Sequence, residues 1–120
     1  MLSPEQVQAW QRDGYLVLPG FKPAAERDAL VQRAREIVDA YDPTSAGVFS
    51  TVRPERLADE ALLASADQVH CFFEEEAFDA SGALKQPKAL SINKIGHAMH
   101  DLDPVFGSFS RDPRLAAIAA

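Results

Sequence analysis

Three polar–proline pairs constrain this chain more than any other feature of its sequence: Ser3-Pro4, Asp103-Pro104 and Asp112-Pro113. A serine or aspartate side chain accepts hydrogen bonds from the first free N–H groups of a helix. A proline at the next position lacks an N–H and already has a helical φ. Each pair therefore predicts a helix that starts at a fixed residue. At the first, Gln6 completes a capping box, and Leu2 and Val7 are spaced as a hydrophobic staple. Val7 and Trp10 form a short apolar stripe, and Gly14 is the expected stop. At the last, a helix through Leu115 and Ile118 reaches Ala120 with no glycine and no C-cap, so the natural chain is expected to continue.

Between these points the pattern alternates. Tyr15-Leu16-Val17-Leu18 reads as a short buried strand closed by Pro19-Gly20. A second helix is predicted from Pro23, with Leu30, Val31, Ala34, Ile37, Val38 and Tyr41 on one face, and Arg35 and Asp39 paired on the other. Asp42-Pro43 ends it. Residues 44–52 read as loop, and 54–64 as a helix carrying Leu57, Ala61 and Leu62. Val69 to Glu74 and Leu90 to Ile95 are predicted strands, the second ended by Gly96. The turn Ala80-Ser81-Gly82 forms a hairpin to Ala83-Leu84. The class expected is α+β.

Charge narrows the partners. Asp and Glu number 18 against 12 Lys and Arg, giving −6 at pH 7. An acidic chain without a basic stripe repels nucleic acid and acidic membranes, so no nucleic-acid and no membrane partner is expected. No apolar run approaches the roughly 18 residues of a membrane span. The N-terminus has neither a basic nor an apolar leader segment. Cys71 is the sole cysteine, which forbids an internal disulfide and fits a reducing, cytoplasmic location.

Candidate chemistry is sparse. His97, His100, Asp101 and Asp103 cluster in sequence, but their spacing matches neither paired helical histidines nor a His-x-Asp iron site. The plainer reading is a polar loop before a helix capped by Asp103, with no metal held in this chain. A small metal-binding protein using His97, His100 and Asp101 is the rival. His70 and Cys71 point to opposite faces of a strand, so they cannot pair as base and nucleophile, and Cys71 reads as a small buried hydrophobe. Glu74-Glu75-Glu76 reads as a solvated strand end. No phosphate-binding glycine loop and no nucleophile elbow is present. No residue here is assigned as catalytic. Lys94 stands apart. On a strand, Leu90, Ile92 and Lys94 share one face. An ammonium aimed there needs an anionic partner, or else it snorkels to solvent at a sheet edge.

The segment Ser91-Ile92-Asn93-Lys94-Ile95-Gly96-His97-Ala98-Met99-His100, followed by Asp103-Pro104-Val105-Phe106, resembles the phytanoyl-CoA dioxygenase family, in particular its domain-containing subgroup. The opening Leu2 to Gln6, Asp13-Gly14-Tyr15 to Phe21, Phe72-Phe73-Glu74, Phe78-Asp79 and Gly82 resemble it too, in order. The resemblance implies a non-haem Fe(II), 2-oxoglutarate-dependent dioxygenase, a hydroxylase of a small-molecule substrate. The implied fold is a double-stranded β-helix (a cupin-like jelly roll), of which residues 1–120 would be the N-terminal helices and first strands. The family's 2-oxoglutarate-contacting lysine falls on Lys94. Its iron triad, His-x-Asp and a later His, and its carboxylate-clamping arginine lie downstream. The fragment alone is thus expected to be inactive and to bind neither iron nor 2-oxoglutarate, and to self-associate through exposed sheet faces. The alternative is a truncated, non-catalytic homologue serving as a binding scaffold.

Overall fold

A computed structural model describes residues 2–45, 47–48 and 63–119. The elements run α1 (Pro4–Asp13), α2 (Ala24–Ala40), β1 (Gly47–Val48), β2 (His70–Phe73), β3 (Ile92–Gly96), α3 (Met99–Leu102), α4 (Pro104–Ser110) and α5 (Pro113–Ala119). Short 3-10 turns occupy Pro43–Ser45 and Lys88–Leu90.

The capped helix starts fall where the proline pairs place them. Ser3 caps α1 through the Gln6 N–H, and Gln6 Oε1 accepts from the Ser3 N–H at 2.8 Å, closing the capping box. Gly14 ends the helix at φ 74°, a left-handed conformation that favours glycine. Asp103 caps α4, and Asp112 Oδ1 accepts from the Arg114 N–H at 2.8 Å at the start of α5.

Among the described residues, β1, β2 and β3 form one sheet in that order. β1 runs parallel to β2, whereas β2 and β3 are antiparallel. Being central, β2 is covered on both faces: Cys71 and Phe73 are fully buried and Phe72 nearly so. Phe73 packs on Phe78 at 5.0 Å between ring centroids. The hairpin appears as an isolated antiparallel bridge, Phe78 to Leu84, around a turn held by the Asp79 carboxylate. That carboxylate lies below its usual range because the Ser81 hydroxyl and then backbone N–H groups donate to it.

Ion pairs stitch the helices together. Arg33 of α2 donates to Asp103 at 2.6 Å, and Lys22, before α2, reaches Asp112 at 2.6 Å and lies over the Phe109 ring. Lys88 donates to the Asp39 and Tyr41 carbonyls at the end of α2, at 2.8 and 2.9 Å. A lysine thus satisfies carbonyls that the helix itself leaves open.

Several expectations are corrected. Tyr15 to Leu18 is not a strand: no strand lies alongside it among the described residues, the Leu18 carbonyl instead accepts from the Phe21 N–H at 3.2 Å, and Tyr15 and Val17 are exposed. Residues 44–52 are not all loop, since Gly47–Val48 joins the sheet. The second predicted sheet strand starts at Ile92 and includes Gly96. Leu90 instead closes a 3-10 turn after Pro87, with its carbonyl accepting from the Gln86 amide, and is exposed. The outer face of α2 carries Arg33–Glu36 and Gln32–Glu36 contacts rather than Arg35–Asp39, and Val31 of its apolar face is exposed. The loop expected before Asp103 contains the extra turn of helix α3. The helix predicted over 54–64 lies outside the described residues except at its end.

The packing is open. The radius of gyration is 18.0 Å, whereas a compact domain of this length has about 14 Å. No residue of α1 is buried, and Trp10 and Val7 are exposed. No helix among the described residues is long and apolar enough to cross a membrane.

Candidate functional site

The site forms on one face of the β2–β3 pair. Phe72 lies opposite Lys94, and His70 opposite Gly96. Residues directly opposite in an antiparallel pair share a face. A β-bulge interrupts the register between Phe72 and Phe73, so that Phe73 lies opposite Ile92 and Asn93 is the additional residue. Adjacent residues of β2 point to opposite sides, so the bulge separates Ile92 from Lys94. The shared Leu90-Ile92-Lys94 face expected from simple alternation is therefore absent, first by the 3-10 turn and then by the bulge.

Lys94 does not run out to solvent. Its side chain folds back across Gly96: a Cβ built there would lie 3.0 Å from Lys94 Cε. The half-buried ammonium sits 5.6 Å from the centroid of the Phe72 ring and donates to His97 Nε2 at 3.0 Å. On its other side, His97 Nδ1 lies 3.2 Å from Ser65 Oγ and 3.3 Å from the Ser65 carbonyl oxygen. The His97 N–H donates to the Gln68 carbonyl at 2.8 Å.

His70 belongs to the same face. Its Nε2 lies 2.8 Å from the Tyr41 hydroxyl, and its ring lies 4.8 Å from Phe72. Burial, and then the nearby His97, hold His70 below the ordinary imidazole range. Cys71 faces away from this cluster; burial pushes its thiol up, against a smaller opposing effect of Lys88. His100 is exposed and contacts Asp101 at 3.1 Å, apart from His97. Asp101 also pairs with Arg111, and Asp103 is taken up by Arg33 and the α4 cap. Among the described residues no three of His, Cys, Asp and Glu gather as metal ligands. Glu74, Glu75 and Glu76 are exposed.

The sequence singled out Lys94 by a face shared with Leu90 and Ile92 that the structure does not form, and offered His97 only as a rival metal ligand. The local signal was the glycine between Lys94 and His97, which lets a long side chain double back. The Ser65 contact joins residues 32 apart and has no local signature.

A family model described as phytanoyl-CoA dioxygenase (PhyH) matches residues 10–119. The chain belongs to the phytanoyl-CoA dioxygenase family. It is 46% identical over 109 residues to the protein named phytanoyl-CoA dioxygenase 1 of Oryza sativa subsp. japonica, covering 91% of this chain and 38% of that protein. It is 38% identical over 119 residues to the phytanoyl-CoA dioxygenase of Arabidopsis thaliana, covering 99% and 42%. It is 42% identical over 124 residues to phytanoyl-CoA dioxygenase domain-containing protein 1 of Bos taurus, covering 98% and 43%. The chain therefore spans about two fifths of the length of these PhyH relatives.

Proposed function

We propose that this chain is the N-terminal part of a single dioxygenase domain that uses Fe(II) and 2-oxoglutarate to oxidise a small molecule, on a double-stranded β-helix that the chain alone does not complete. The iron, when bound, supplies the activation of oxygen that hydroxylation requires. This chain's part in that domain is to hold the co-substrate.

The observation that carries the reading is the placement of Lys94. Its ammonium lies over an aromatic face, fixed at one side by a histidine nitrogen. A cation held against apolar surface suits a carboxylate, because partial removal of water strengthens their attraction. Lys94 thus orients one carboxylate of 2-oxoglutarate, and the chain without its iron-binding remainder is inactive. The exposed side chains of Val7, Trp10, Tyr15 and Val17 fit surfaces that the remainder of the domain covers. Substrate identity does not follow from the family name.

The test is Lys94→Ala in the whole protein. Loss of a charge-assisted contact should raise the 2-oxoglutarate concentration for half-maximal turnover roughly tenfold to a hundredfold, with iron content unchanged. An unchanged requirement for 2-oxoglutarate would refute the assignment.

A further inference from the structure

We infer that His97 is the positioning residue for Lys94, and that Ser65 sets the tautomer that makes this possible. The inference rests on the reading of Lys94 as the 2-oxoglutarate contact.

The hydrogen-bond chemistry runs in one direction. A carbonyl oxygen only accepts, so the Ser65 carbonyl 3.3 Å from His97 Nδ1 requires the proton on Nδ1. The Ser65 hydroxyl, 3.2 Å away, can accept from that N–H or donate to a bare Nδ1, so the carbonyl and the ammonium decide the tautomer. With Nδ1 protonated, a neutral imidazole presents its lone pair at Nε2. The Lys94 ammonium, which only donates, lies 3.0 Å from that nitrogen. The other tautomer would set an N–H against the ammonium and leave Nδ1 facing a carbonyl oxygen.

The ring has little freedom to do otherwise. Ser65 is buried, and the His97 backbone N–H is bound to the Gln68 carbonyl at 2.8 Å. The imidazole lies 5.8 Å from the Phe72 ring between centroids. Gly96 leaves the track along which Lys94 reaches back. A lysine side chain has several rotatable bonds, and fixing one before a ligand arrives lowers the entropy that binding loses. An ammonium has three donors, so a bond to His97 is compatible with one to a carboxylate.

The test compares His97→Leu, His97→Gln and Lys94→Met in the iron-loaded whole protein, by equilibrium dialysis with radiolabelled 2-oxoglutarate. Lys94→Met should raise Kd about tenfold or more, and His97→Leu about threefold to tenfold. His97→Gln, whose amide oxygen can accept the same bond, should stay within about twofold. At saturating 2-oxoglutarate, kcat of His97→Leu should match the wild type, placing the effect in KM. Nitrogen-15 NMR of the unsubstituted protein should find the Nδ1–H tautomer at His97, with the tautomer balance moving in Lys94→Met. A large loss with Lys94→Met and none with His97→Leu would overturn this inference and leave the Lys94 reading intact. No loss with Lys94→Met would overturn both. Equal losses in His97→Leu and His97→Gln would show a packing role and refute positioning. Should His97→Leu not fold, an Nε2–H tautomer in the unsubstituted protein would refute it.

Discussion

Replacing Asp103 with alanine should loosen the joint between α2 and α4. One carboxylate oxygen accepts from the Val105 and Phe106 N–H groups at 3.0 and 3.2 Å, and the other from Arg33 Nε at 2.6 Å. The aspartate is buried, with 4% of its surface exposed. Loss of the cap costs about 1 kcal/mol. Loss of the charged bond to Arg33 adds about 1–2 kcal/mol, at the lower end because Arg33 keeps Glu36 and is partly solvated. Asp103→Ala should therefore lose about 2–3 kcal/mol. Asp103→Ser keeps the cap, is too short for Arg33, and should lose about half of that. A double-mutant cycle with Arg33→Met should return a coupling of about 1 kcal/mol. The assays are urea unfolding followed by far-UV circular dichroism, and amide exchange at Val105 and Phe106, which should accelerate in the alanine variant alone. Burial by itself would raise the Asp103 pKa, but Arg33 and the two N–H groups outweigh it and the net shift is downward. A folded-state value below the unfolded one gives stability that is complete above the unfolded value near about 3.9 and is lost as pH falls through the folded value. Part of the acid sensitivity should thus vanish in Asp103→Ala. Equal stability of the alanine and serine variants, or no coupling to Arg33, would refute the reasoning.

Gly107→Ala should destabilise by about 1–3 kcal/mol, because its Cβ would lie 2.9 Å from the His100 carbonyl oxygen and the backbone cannot yield as a side-chain tip can. Thermal melts of that variant beside Ser108→Ala, in the same helix, separate the clash from helix propensity. Cys71 should resist thiol reagents until the chain unfolds, since it is fully buried with its pKa raised by burial. Reaction at the rate of a free thiol in native buffer would contradict this. The chain in isolation should self-associate through its exposed apolar residues, read by sedimentation velocity across a concentration series; a monomer that melts sharply at high temperature would argue against an incomplete domain.

What the sequence disclosed follows from the range of the forces involved. Helix starts were legible because a cap is settled within four residues, as at Ser3 and Asp103. β2 was legible because His70 to Phe73 is bounded and apolar. Tyr15 to Leu18 carries an equally apolar pattern, yet a strand exists only when another strand accepts its hydrogen bonds, and one segment cannot state that. β1 was missed for the converse reason: two residues of modest propensity pair because a neighbour is present. At the site, Lys94 was singled out as a charge beside aliphatics on one face, a face that the 3-10 turn and the bulge then remove. Its company was not, since Phe72 meets Lys94, and Ser65 meets His97, through pairing and packing across tens of residues.

The bulge at Asn93 has a consequence for how β3 can change. A regular strand transmits direction without loss: what turns one side chain turns the next but one. With one residue of slack between them, Ile92 answers to Phe73 and Lys94 answers to Phe72. Packing at Ile92 and the placement of Lys94 are therefore separately adjustable. Repacking around Ile92 leaves the aim of the ammonium alone, whereas a one-residue deletion at Asn93 would keep Ile92 opposite Phe73 and Lys94 opposite Phe72 but remove the slack between them and couple the two directly.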